Sequence, residues 1–155
     1  MAQGNGLSST STRYILDTSI ALFLIRGGAV GIQIDASFGL SRKATPALVS
    51  VVTIGELMAL SYRAGWGVEK QSRYDKLLQE LVRIDINDAV ILDAYARIDC
   101  AAVAQGKKLS KNDLWIAACA RATGSALLTT DKDFDFLEGV WIRRIWIDPS
   151  TGKAP

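Results

Sequence analysis

Asp17, Glu56, Asp113 and Asp131 are the side chains of this 155-residue sequence whose types and placement could do chemistry. Asp17 closes the apolar run Tyr14, Ile15, Leu16, and Asp131 closes a second one at 125–130. Glu56 stands among Ile54, Leu57 and Met58, and Asp113 opens an apolar helical pattern through Ile116, Ala117 and Ala120. Three of them have a plain local explanation, Asp17 as a helix cap, Asp113 as a first-turn acid and Asp131 as a turn residue. Glu56 is harder to explain locally, because its apolar neighbours would leave a carboxylate partly desolvated. The conjunction carries the argument, since clustered carboxylates repel one another unless a cation is present. Two or three carboxylates with water suit octahedral Mg²⁺ or Mn²⁺, ions that activate water and stabilise phosphoryl charge.

Five short runs read as strands, at 14–16, 47–52, 82–86, 125–130 and 141–147, the third as an exposed or edge strand. Between them lie helical patterns. The first starts at Ala21, Leu22, Leu24 and Ile25. A second starts from Thr53 as its cap, and Gly65 and Gly67 break it around Trp66 before a third resumes as a helical pair. The longest runs from Val90 to Gly106 after Asn87 or Asp88 as cap, and the next ends at Gly124. Residues 27–43 carry glycines without clean periodicity and read as a partly ordered connection with one helical turn near 34–38. This alternation predicts an α/β fold, a parallel sheet covered on both faces. Right-handed crossovers then gather the strand ends, with their acids, at one rim, where such sheets bind ligands.

Composition narrows the chemistry. There is no histidine, which excludes Ser/His/Asp triads and His-ligated zinc and leaves carboxylates or metal-bound water for hydrolysis. The net charge of +2 supplies no polyanion-binding tail. Cys100 and Cys119 fall in apolar helical patterns and read as buried free thiols of a reducing cytoplasm. With 49% hydrophobic residues, the length suits one domain over 13–148, between a flexible leader at 1–12 and a flexible tail at 149–155. The apolar run at 20–25 is far below the roughly 20 residues of a membrane span, which points to a soluble protein with no membrane partner.

The motifs YILDTS, VVTIGEL, NDLWIAACA and LLTTDKDF, in that order, resemble the PIN domain, specifically the VapC-type toxins of VapBC toxin-antitoxin modules. The resemblance covers about residues 14–147 and implies a PIN-like three-layer α/β/α sandwich around a central, mostly parallel five-stranded sheet. It also implies a Mg²⁺- or Mn²⁺-dependent endoribonuclease whose metal-binding, catalytic acids are Asp17, Glu56, Asp113 and Asp131, with Ser19 matching the hydroxyl after the first aspartate. Asp133 follows in the same motif and shares or takes the fourth place, Asp131 being the better match. A homodimer, an RNA substrate, a cognate antitoxin covering the acidic pocket and a cytoplasmic location are further implications.

Lys107, Lys108, Lys111 and Lys132 are candidates for holding an RNA backbone, with an ordinary soluble surface as the competing account. Leu22, Phe23 and Trp66 are candidates for an antitoxin groove, against a core role for all three. Trp115 and Asp99 are assigned to packing and to the solvated surface respectively. Two rivals keep the family but change the role, a housekeeping RNA-processing nuclease and a catalytically inactive binding module. An aspartyl-nucleophile phosphatase requires an acid where Ser19 stands.

Overall fold

The computed structural model describes residues 11–41 and 44–155. In chain order these form β1 (Tyr14–Leu16), α1 (Thr18–Arg26), α2 (Ala29–Phe38), β2 (Leu48–Ser50), α3 (Val51–Ala64) and α4 (Val68–Glu80). β3 (Val82–Ile84), α5 (Ala89–Ala104), α6 (Lys111–Thr123), β4 (Ala126–Thr129), a 3-10 turn (Lys132–Leu137) and β5 (Arg143–Trp146) follow. The five strands make one sheet in the order β3-β2-β1-β4-β5, parallel at every pairing. β3 is an edge strand, as its mixed apolar and charged sequence predicts.

Strand periodicity divides the core. Ile15 pairs in register with Leu127 and Leu16 with Leu128, so neighbouring residues feed opposite faces. Ile15, Leu48 and Leu127 pack with Ile91 and Ile98 of α5 and Leu114 and Ile116 of α6. Leu16 and Leu128 pack with Ile20, Ile34 and Ile147 on the other face. A satellite cluster of Ala21, Ile25, Leu57 and Tyr74 ties α1, α3 and α4 together. These layers make the predicted α/β/α sandwich.

The stretch read as a partly ordered connection is instead mostly the ten-residue helix α2. Its glycines had obscured it. Gly28 is the N-cap and Gly39, at φ 61°, the left-handed C-cap. Gly31 is buried, and a Cβ there would lie 2.3 Å from the Phe23 carbonyl oxygen, so the close approach of α1 and α2 demands a residue without one. Lys43, at the end of that stretch, lies outside the described residues, as does the expected leader apart from Ser11 and Thr12.

Helix α3 starts two residues before the expected cap. Ser50, not Thr53, is the N-cap and accepts from the Val52 N–H at 3.2 Å, while Thr53 is buried inside the helix. Asp88 caps α5. Of the two thiols, Cys119 is buried as expected, but Cys100 is exposed, because it falls on the solvent side of α5. Near the carboxyl terminus a turn about Asp148 and Gly152 packs on α2, where a Cβ on Gly152 would lie 2.7 Å from the Val30 carbonyl oxygen. Among the described residues no single helix is long and apolar enough to cross a membrane, and the consecutive helices α1 and α2 meet at 116°.

Candidate active site

The carboxyl ends of β1 and β4, side by side in the sheet, bring Asp17 and Asp131 to one rim. α3 and α6 add Glu56 and Asp113, so all four acids line a single open cleft of about 400 Å³ together with Thr18, Ser19, Thr130 and Lys132.

Asp17 is the most deeply set, at 5% exposure. It caps α1, and its Oδ1 accepts from the Thr18 N–H at 2.7 Å. Its Oδ2 accepts from the Ser19 hydroxyl at 3.0 Å and from the Thr129 hydroxyl at 2.7 Å. Burial raises the Asp17 pKa above the ordinary value, opposed by those hydrogen bonds from Thr129, Ser19 and Thr18 and assisted by the Glu56 charge. Glu56, in the second turn of α3, has its Oε1 2.7 Å from the Thr18 hydroxyl, which also lies 3.3 Å from the Thr53 hydroxyl.

Asp113 stands in the first turn of α6, whose N-cap Ser110 accepts from the Asp113 N–H at 3.1 Å. Its pKa is pushed up to about 6, first by burial and then by the charges of Asp17, Asp131 and Glu56, with a hydrogen bond to Ser110 pulling the other way. The mutual repulsion expected of a carboxylate cluster is therefore present in the fold. Asp131 donates its N–H to the Thr129 hydroxyl at 2.9 Å and caps the 3-10 turn by accepting from the Asp133 N–H at 2.8 Å. Asp133 itself is exposed and does not line the cleft, so of the two candidates for the fourth place only Asp131 faces the other acids.

Among the described residues no three acidic or thiol side chains converge on one point at ion-ligating distance. The donor set nevertheless fits a hard, partly hydrated cation. The cleft offers carboxylate and hydroxyl oxygens, and Mg²⁺ takes only one or two direct carboxylates while keeping several waters.

The remaining candidates separate. Lys132 lines the cleft, whereas Lys107 and Lys108 are exposed on the loop before α6 and do not. Lys111 lies 3.6 Å from Asp99, so that acid is engaged rather than merely solvated. Leu22 and Trp66 pack on the Ala21/Leu57/Tyr74 cluster, while Phe23 packs on the Leu16/Ile34 cluster beneath Arg26. They do not line a shared groove. A mostly apolar groove on this side runs between α2 and α4, lined by Leu24, Ile32, Leu40, Leu77 and Leu81 together with the charged Asp35, Arg73, Lys76 and Glu80. Trp115 stacks on Tyr95 at 4.1 Å, the packing role expected of it.

Sequence reading missed Thr18, which reaches Glu56, and Thr129, whose hydroxyl serves both Asp17 and Asp131. The signal for both was a threonine directly beside an acid or at a strand tip. Ser110 sits three residues before Asp113, a spacing that marks an N-cap.

The PIN domain model matches residues 14–139, and the chain belongs to the PIN-domain family. Among its relatives is Ribonuclease VapC5 of Mycobacterium tuberculosis (strain ATCC 25618 / H37Rv), 31% identical over 137 residues that cover 86% of this chain and 93% of the relative. The crystal structure of VapBC-5 from Mycobacterium tuberculosis, described as a member of the VapBC family of toxin-antitoxin systems, matches with a TM-score of 0.63 at 25% identity, covering 88% of this chain and 99% of that one. VapBC2 from Rickettsia felis, solved bound to a DNA fragment from the promoter, has the same fold, with a TM-score of 0.72 at 22% identity over 86% and 98% of the two chains.

Proposed function

We propose that this chain is a divalent-metal-dependent endoribonuclease and the toxin of a type II toxin-antitoxin pair. The observation that carries it is the single cleft in which Asp17, Glu56, Asp113 and Asp131 meet. A relative named as a ribonuclease at 31% identity supports the substrate class, and solved VapBC complexes of the same fold support a cognate antitoxin as partner. The unit is a single PIN domain acting in the cytoplasm as a homodimer.

Asp17, Glu56, Asp113 and Asp131 would hold Mg²⁺ or Mn²⁺, which supplies an activated water and offsets the charge of the scissile phosphodiester. Both Asp17 oxygens are fixed by donors, two from the first turn of α1 and one from β4, so this carboxylate cannot rotate away. Thr18 turns Glu56 toward the same cleft, and a cation held there would offset the repulsion that, together with burial, raises the Asp113 carboxyl. Ser19 orients Asp17 and also accepts from the Thr130 N–H at 3.3 Å, which braces the first turn of α1 against the end of β4. Lys132 is the cation lining the cleft and is assigned to the RNA phosphate. The groove between α2 and α4 is assigned to the antitoxin, since an apolar groove suits an amphipathic helix.

The test is incubation of purified protein with total RNA, with and without Mn²⁺, followed by mapping of cut ends. Discrete Mn²⁺-dependent cuts are expected, and Asp17→Asn should remove them by about a hundredfold or more, the scale of several kcal/mol of lost transition-state stabilisation. Equal cutting by wild type and Asp17→Asn would falsify the assignment.

A further inference from the structure

Lys132 stands beside Asp131 and lines the acid cleft, yet its ammonium pairs with none of the four carboxylates. The ion pairs among the described residues join Arg97 to Asp93, Lys111 to Asp99 and Arg144 to Asp135. The Lys132 Nζ lies instead 4.7 Å from the centroid of the Trp146 ring, with the Asp148 carboxylate just past β5 also within reach of its charge. That ring is itself fixed. Its indole N–H donates to the Thr130 carbonyl at 2.9 Å, and Trp146 pairs in register with Thr129 where β4 and β5 run side by side. A lysine on a flexible stem next to four carboxylates is drawn toward them more strongly than toward a ring at the same distance. If it folded into the cluster, it would act as a tethered competitor at high effective concentration for any cation bound there.

We infer that Trp146 is a positioning residue that seats the Lys132 ammonium at the rim, keeping the protein's own cation out of the carboxylate cluster while leaving it beside the cleft for a substrate phosphate. The inference rests on the metal-dependent reading above and adds to it a residue from β5, an element that contributes no acid to the cleft. It predicts that loss of the ring harms metal binding through Lys132 and not through distortion of the acids.

The experiment is calorimetric titration of the full chain with Mn²⁺, without RNA, for wild type, Trp146→Leu, Lys132→Met and the double variant. Trp146→Leu is expected to weaken Mn²⁺ binding by about fivefold, the scale of one lost cation–π contact. The double variant is expected to regain wild-type affinity, because the competitor is gone, and Lys132→Met alone is expected to bind Mn²⁺ no more weakly than wild type. A double variant as weak as Trp146→Leu overturns the inference, since the ring would then act through the shape of the cleft. Unchanged affinity in a folded Trp146→Leu protein overturns it too. Should that variant fail to fold, Trp146→Phe, which keeps an aromatic face but loses the tether to Thr130, is read in its place; it must fall between wild type and a fivefold loss and be restored by Lys132→Met, and otherwise the inference is wrong. A wild type that binds no Mn²⁺ would instead remove the metal-dependent reading itself, an outcome distinct from these. With RNA, Lys132→Met is expected to raise KM while leaving kcat nearly constant and to reduce the dependence of KM on salt.

Discussion

The Thr129 hydroxyl donates to Asp17 Oδ2 at 2.7 Å, which joins two residues 112 positions apart in the chain. The same oxygen accepts from the Asp131 N–H at 2.9 Å, so one threonine spaces two acids of the cleft.

Thr129→Val keeps the shape and the β-branching of the strand but removes both interactions. The buried Asp17 carboxylate then keeps two of its three donors, those from Thr18 and Ser19, and the loss of the third should cost roughly 1–3 kcal/mol in stability. Activity should fall by about tenfold, less than for Asp17→Asn, because the carboxylate remains but its orientation loosens. Denaturant midpoints and cleavage rates on one RNA check both effects, and a variant as stable and as active as wild type would detach Thr129 from the site.

Asp113 gives a pH dependence with a defined sign. Its pKa in the folded chain, about 6, lies above the ordinary 3.8, so between those values the folded state binds more protons than the unfolded one. Stability therefore falls as pH rises through that window, and the penalty is complete about one unit above the folded pKa. Asp17, also raised, acts in the same direction. Without added divalent cation, Asp113→Asn should stabilise the protein at pH 7 by about 1 kcal/mol, a figure discounted for the half-exposed position of the carboxyl. The advantage should disappear near pH 4, and wild type should gain more in Tm from Mn²⁺ at pH 7 than the variant does. Thermal melts at pH 4, 5.5 and 7 decide it, and a variant less stable than wild type at pH 7 without metal contradicts the account.

Gly31→Ala tests the contact between α1 and α2. With 2.3 Å between the new Cβ and the Phe23 oxygen, the two helices must separate, which should cost about 1–3 kcal/mol even though alanine is the better helix former. A stabilised variant in urea unfolding would show that the contact yields freely.

The antitoxin groove is tested with Ile32→Glu. Ile32 is 66% exposed and lines the groove between α2 and α4, away from the acid cleft. A charge there should weaken binding of a cognate antitoxin by about tenfold or more while leaving RNA cleavage by the free chain intact. Calorimetry with that antitoxin settles the matter, and unchanged affinity would move the partner elsewhere.

What could be read from the chain follows from how far each cause lies along it. Asp17 and Asp131 were legible because each ends an apolar run, and a strand followed by an acid is a local pattern. Glu56 was legible by contrast with its apolar neighbours. Helix α2 was not, because the reason for Gly31 lies on α1, in the Phe23 carbonyl. The start of α3 was missed by the same logic, since Ser50 and Thr53 are both good caps and the sheet register chooses between them. Cys100 read as buried because apolar residues surround it in sequence, whereas exposure on a helix depends on which side meets the sheet. The split of Leu22, Phe23 and Trp66 between two clusters is likewise a property of packing.

The order β3-β2-β1-β4-β5 also has a consequence for synthesis. β1 emerges from the ribosome first of the strands, yet one of its two neighbours is β4, and the Asp17 N–H and carboxylate both wait for partners on Leu128 and Thr129. A nascent or prematurely terminated chain that ends before β4 carries three of the four acids but no closed rim on which to hold them. If the chain is the nuclease proposed above, the ribosome that makes it is thus not exposed to a working site until nearly the whole domain has been translated.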